Sequence, residues 1–133
     1  MTSASGPAPE PLERPSVLLV DDRPENLLAL TAVLEPLEVR LVTAGSGEEA
    51  LRALLAEDFA VVLLDVRMPG MDGYETARSI RAMTRFEHLP IISLTAKAMK
   101  GDREKCIAAG ASDYITKPVD MDQLLSLMRV WLQ

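Results

Sequence analysis

Aromatic residues are scarce in this 133-residue chain: two Phe, two Tyr and one Trp, or 4% of the sequence. Its core must therefore come from Leu, Val, Ile, Ala and Met, and a hydrophobic fraction of 48% supplies enough of them for one domain of ordinary size. Cys106 is the single cysteine, which excludes an intrachain disulfide framework and points to a reducing compartment. His88 is the single histidine, so there is no His–Cys set to suggest zinc. Basic residues do not prevail either: 14 Lys and Arg stand against 20 Asp and Glu, for a net charge of −6, with no basic stripe. Direct nucleic-acid binding, which needs clustered cations against phosphates, is a poor fit to that balance. No apolar run is long enough to cross a bilayer, and the N-terminus lacks the charged and apolar regions of a secretory signal. The expectation is a soluble, cytoplasmic protein with no membrane partner.

Residues 1–15, MTSASGPAPEPLERP, lack apolar periodicity and read as a disordered tail or linker ahead of a domain over 16–133. Apolar runs then alternate with helical patterns. Val17–Val20 is apolar on both faces, as a strand buried between helix layers would be, and ends at Asp21 and Asp22. Pro24 opens a helix to about Leu34, with Leu27, Leu30, Thr31 and Leu34 on one face. Val39–Ala44 alternates like a half-exposed edge strand. Ser46 resembles an N-cap, followed by a helix to about Glu57 that buries Ala50, Leu51, Leu54 and Leu55.

Ala60–Leu64 is a second fully apolar strand, ending at Asp65, and RMPGMDG after it must be a loop. Gly73–Met83 reads as a helix with Ala77 and Ile80 inward. Ile91–Leu94 is a third apolar strand, ending at Thr95, and the helix that follows closes at Gly110. Tyr114–Thr116 is a short strand before Lys117 and Pro118. Asp120 caps a last helix, in which Met121, Leu124, Leu125, Met128 and Leu132 repeat at helical spacing. Five strands alternating with five helices predict an α/β fold: a doubly wound, five-stranded parallel sheet of order 2-1-3-4-5 with the flavodoxin-like (βα)5 topology.

In such a sheet the C-terminal strand ends share one edge, and the crevice there is the default ligand site. Asp21, Asp22, Asp65, Thr95 and Lys117 all fall on that edge. Three carboxylates in a partly desolvated place repel one another and call for a positive charge among them. Oxygen ligands of this kind suit Mg²⁺, which takes one or two carboxylates and keeps several waters. Lys117 adds a cation for a phosphate oxygen and Thr95 a hydroxyl donor. Carboxylates for a metal, with a cation and a hydroxyl for an anion, are the equipment of phosphoryl transfer. A carboxylate can also be the nucleophile. Asp65 is the best candidate, at the end of a buried strand and the start of an exposing loop.

The segments VLLVDD, VVLLDVRMPGMDGYE, PIISLTA and DYITKPVD resemble, in order and spacing, the response-regulator receiver family of two-component signalling over roughly residues 16–132. Each motif alone is weak; all four, each at its strand end, are specific. The resemblance implies that Asp65 accepts a phosphoryl group from a histidine kinase or histidine phosphotransfer protein in a Mg²⁺-dependent reaction. It implies Asp22 as a direct metal ligand, Asp21 as a direct or water-mediated one, and Asp65 and the backbone carbonyl of Arg67 as others. Lys117 and Thr95 would contact the phosphoryl group, and small Ala96 would leave the site open to a partner. Tyr114 would be the switch aromatic and Lys117–Pro118 a candidate cis bond. A partner or a second copy would read the surface of the fourth helix, fifth strand and fifth helix.

DDRPENLLAL and REKCIAAGASDYITKPVD look like receivers attached to hybrid histidine kinases, which suggests a phosphorelay role. Arg67 and Lys97 occupy positions that tune phosphoryl lifetime in the family. Such a domain catalyses its own phosphorylation but is not a turnover enzyme.

Other readings fit less well. A haloacid-dehalogenase-like phosphatase needs an acid two residues after its nucleophile, where this chain has Arg67. A docking module that merely keeps the shape would have no use for the complete acidic set. A flavodoxin-like cofactor binder needs a phosphate-cradling loop after the first strand, where Asp21 and Asp22 would repel a phosphate. His88 reads as a solvated loop residue, Cys106 as a buried hydrophobe and Asp72 as a stabiliser of the loop after Asp65.

Overall fold

A computed structural model describes residues 14–96 and 101–133; Lys97 and the tail up to residue 13 lie outside the described residues. The elements alternate as expected: β1 (Ser16–Val20), α1 (Pro24–Leu34), β2 (Arg40–Ala44), α2 (Gly47–Ala56), β3 (Val61–Asp65), α3 (Gly73–Arg81), β4 (Ile91–Thr95), α4 (Asp102–Ala109), β5 (Asp113–Thr116) and α5 (Met121–Trp131). Every strand pairing is parallel and the sheet order is β2-β1-β3-β4-β5. Pro15 lends its carbonyl to Arg40 N–H at 2.9 Å, one step ahead of the β1–β2 ladder.

The central strands β1, β3 and β4 are largely apolar because both sheet faces are covered, whereas the edge strands β2 and β5 carry polar, partly exposed residues. Leu18, Val20, Val62 and Leu64 face α2, α3 and α4, packing with Leu54, Ile80 and Cys106. Their neighbours Val17, Leu19, Val61 and Leu63 face α1 and α5, packing with Leu30, Leu34, Leu124 and Met128. The period of two along each strand thus builds two cores from one run. On the helices the apolar stripe is narrower than the sequence suggests. Leu55 and Met121, both expected inside, are 56% exposed. Leu55 lies one step off the buried Leu54, and Met121 is the first residue of α5, one turn ahead of the buried Leu124, so helical spacing alone misplaces them.

Among the described residues, three helix starts are capped by side chains. Ser46 accepts Glu49 N–H at 3.1 Å and Asp120 accepts Gln123 N–H at 2.9 Å. Asp72 accepts Glu75 N–H at 2.9 Å while Glu75 returns a carboxylate to Asp72 N–H, a full capping box. That box fixes where the loop after β3 ends. Asp72→Ala is expected to cost about 1 kcal/mol of folding stability, read by urea unfolding.

Arg81 closes α3 and ties it to its neighbours. Its guanidinium donates to the carbonyls of Gly110 (2.8 Å) and Phe86 (2.7 Å) and to Ser112 Oγ (3.3 Å). Burial lowers its pKa from the usual arginine value. Gly110, at φ +115°, ends α4 in a left-handed conformation, and a Cβ there would meet Arg81 Cγ at 2.5 Å.

Candidate phosphoacceptor site

The sheet delivers Asp21, Asp65, Thr95 and Lys117 to one edge, as the alternation requires. Asp21 has no exposed surface, and Asp65 and Thr95 are 5% and 4% exposed. Asp22 reaches solvent. One carboxylate oxygen from each of Asp21, Asp22 and Asp65 lies within 4.8 Å of the others.

Lys117 bridges the pocket. Its Nζ lies 3.0 Å from Asp65 Oδ1 and 3.4 Å from Asp21 Oδ2. The Lys117–Pro118 bond is cis, at the turn between β5 and α5. Burial nevertheless raises the Asp65 pKa above its ordinary value. Lys117 opposes that rise, Asp21 adds to it, and a hydrogen bond from Arg67 N–H opposes it again. Three carboxylates against one ammonium leave an excess of two negative charges. An all-oxygen donor set with that excess fits a hard divalent cation such as Mg²⁺.

The loop beyond Asp65 is held from behind. Gly73 N–H donates to Val66 O at 2.9 Å, and α3 begins flush against that backbone. A Cβ on Gly73 would sit 2.4 Å from Asp65 O and 2.6 Å from Val66 Cα, so only glycine fits. The Arg67 side chain points out to solvent, whereas Met68 turns inward and is 7% exposed. Ala96 is exposed beside Thr95 and leaves that rim open.

Thr95 lies at the expected strand end, but its hydroxyl donates to Asp102 Oδ2 on the first turn of α4, at 3.4 Å. Tyr114 is half-buried and packs against the core under α2–α4. His88 is a loop residue with a 93% exposed side chain, 3.6 Å from Glu87. It precedes β4, at the sheet edge opposite the acidic pocket. Cys106 is fully buried, and burial raises its thiol pKa.

Sequence reading missed Asn26, Arg81 and the pairing of Asp102 with Thr95. Asn26 Nδ2 donates to Asp21 Oδ2 at 3.1 Å. An amide in the first turn of a helix directly after two Asp was the available signal. Arg81 gave none, because its acceptors lie up to 31 positions away.

Comparison with known proteins agrees with this geometry. The family model for the response regulator receiver domain matches residues 17–129. Sensor histidine kinase GacS of Pseudomonas protegens is 39% identical over 120 residues, which cover 88% of this chain but 13% of that protein. The chain thus spans a small fraction of the curated relatives it matches.

Among solved structures, the receiver domain of sensor histidine kinase PA1611 from Pseudomonas aeruginosa, with a magnesium ion coordinated in its active-site cleft, is 37% identical at a TM-score of 0.82. That match covers 90% of this chain and 98% of the other. A chain of the co-crystal of the Saccharomyces cerevisiae histidine phosphotransfer protein Ypd1 with the receiver domain of its response regulator Ssk1 is 26% identical at a TM-score of 0.82. It covers 89% of this chain and 88% of that one. The parallel sheet of order 2-1-3-4-5, the acidic edge bridged by Lys117 and the match over residues 17–129 together place this chain in the response regulator receiver domain family.

Proposed function

We propose that Asp65 is the phosphoacceptor of this receiver, taking a phosphoryl group from a phosphohistidine on a histidine kinase or histidine phosphotransfer protein. The observation that carries this reading is Lys117 Nζ lying between Asp65 and Asp21, residues 52 and 96 positions away in the chain. In the transfer, an Asp65 carboxylate oxygen attacks phosphorus and forms an O–P bond. The N–P bond of the donor breaks, and its electron pair stays on the imidazole nitrogen. Asp21, Asp22, Asp65 and the Arg67 carbonyl would hold Mg²⁺, which when bound would neutralise charge on the carboxylates and phosphoryl oxygens. Lys117 holds Asp65 in place and then meets a phosphoryl oxygen. Ala96 gives the donor room at the rim.

Thr95 completes the set by turning its hydroxyl from Asp102 to the phosphoryl group. That exchange moves the first turn of α4 and, through the adjoining strand, the surroundings of Tyr114. The surface formed by α4, β5 and α5 is then the output, read by a partner or a second copy. Residues 16–133 form the switch, and the domain turns over no separate substrate. Among the described residues no helix is long and apolar enough to cross a membrane.

The test is incubation with Mg²⁺ and acetyl phosphate, followed by intact mass. One added phosphoryl group is expected, absent in Asp65→Asn and absent in EDTA. Phosphorylation persisting in Asp65→Asn would reject the assignment.

A further inference from the structure

Asp21 sits in the pocket without exposed surface, so its orientation depends wholly on the protein. Its Oδ1 accepts Arg23 N–H at 2.9 Å. Its Oδ2 accepts Asn26 Nδ2 at 3.1 Å and meets Lys117 Nζ at 3.4 Å. A carboxylate anchored at one oxygen still swings about that bond; a second anchor on the other oxygen fixes its plane. Lys117 cannot serve as that anchor, because it lies closer to Asp65, at 3.0 Å. Asn26 can, since it rides on α1, which is packed into the core through Leu30 and Leu34.

We infer that Asn26 is a positioning residue that orients the Asp21 carboxylate and thereby sets the affinity of the pocket for its divalent cation. This rests on the reading of the pocket as a Mg²⁺ site. The residue type at position 26 supports the inference. Asn is a mediocre helix former, and the first turn of a helix favours an acid. An acid at this position, however, would face Asp21 with a like charge and no donor. An amide supplies the N–H and adds no charge to a cluster that already has too much. Ligand-orienting partners of this kind typically change metal affinity by 10–100-fold.

Two variants test it. Asn26→Ala removes the donor, and Asn26→Leu removes it while keeping the branching and the number of heavy atoms and favouring the helix. Calorimetric titration of MgCl₂ into the metal-free wild type and both variants should show affinity weakened about tenfold in each. Thermal unfolding in EDTA checks that they are folded. In acetyl phosphate reactions the variants' deficit should close as Mg²⁺ is raised. Wild-type affinity in either folded variant, or a deficit that Mg²⁺ does not close, would overturn the role of Asn26 and leave the phosphoacceptor assignment standing. Absence of Mg²⁺ binding by the wild type would overturn both.

Discussion

Lys117→Met should destabilise the metal-free protein by about 3 kcal/mol, because it leaves two buried carboxylates without their shared cation. The side chains of Asp21 and Asp65 are 0% and 7% exposed, and that of Lys117 is 26% exposed. Some solvent therefore reaches the pair, which places the effect at the lower end of what breaking a buried ion pair costs. The loss should depend on pH in a defined direction. The pKa of Asp65 is already raised in the folded protein, by burial first, with Lys117 the main opposing influence. A carboxyl raised on folding contributes stability that is full below its unfolded pKa and lost as pH rises through its folded pKa. Without Lys117 the folded value climbs further.

The deficit of the variant is thus greatest at neutral pH and shrinks on acidification, as Asp65 takes up a proton. Denaturant unfolding in EDTA across a pH series measures this. Mg²⁺ should restore part of the loss, since it binds the folded state alone. A deficit independent of pH, or none, would mean that Lys117 does not hold the pocket's charge in balance.

Gly73→Ala should cost about 2 kcal/mol in stability and slow phosphorylation by about 100-fold. Ordinarily a Gly-to-Ala change in a helix is favourable by about 1 kcal/mol. At this position the new methyl meets backbone at 2.4 and 2.6 Å, and neither Asp65 O nor Val66 Cα can rotate away. Either α3 lifts off or the Asp65 backbone moves. A displacement of about 1 Å of a reacting group can cost about two orders of magnitude in rate, because the attacking oxygen and phosphorus must be aligned. Unfolding curves and initial rates with acetyl phosphate separate the two effects. A variant as stable and as fast as wild type would show that the close packing of α3 on Asp65 is immaterial to the chemistry.

The sequence made the architecture legible because each buried strand is a short apolar run closed by a polar residue, and the parallel sheet does the rest. Asp21, Asp22, Asp65, Thr95 and Lys117 could be gathered on one edge without knowing any distance. The exposure of Leu55 and Met121 was not legible, because spacing tells neither how wide the apolar stripe is beside Leu54 nor that the first turn of α5 reaches beyond the core. The partner of Thr95 was not legible either. It depends on where α4 begins, and Asp102 looked like one charge in a solvated run. Asn26 was harder to read for a different reason: its one signal is its place in the first helical turn after two Asp, and a single amide has no periodicity to reinforce it.

The two ends of α4 are fastened differently. At the C-terminal end Arg81 grips Gly110 O through an acceptor that carries no formal charge. At the N-terminal end Asp102 meets the Thr95 hydroxyl. Eight residues at 1.5 Å each give an arm about 12 Å long. With the far end pinned, a shift of about 1 Å at Asp102 swings the rod through about 5°, a pivot about Gly110 and not a slide. The Arg81 anchor does not involve the Thr95 hydroxyl, so the fulcrum should stay put when that hydroxyl changes partners.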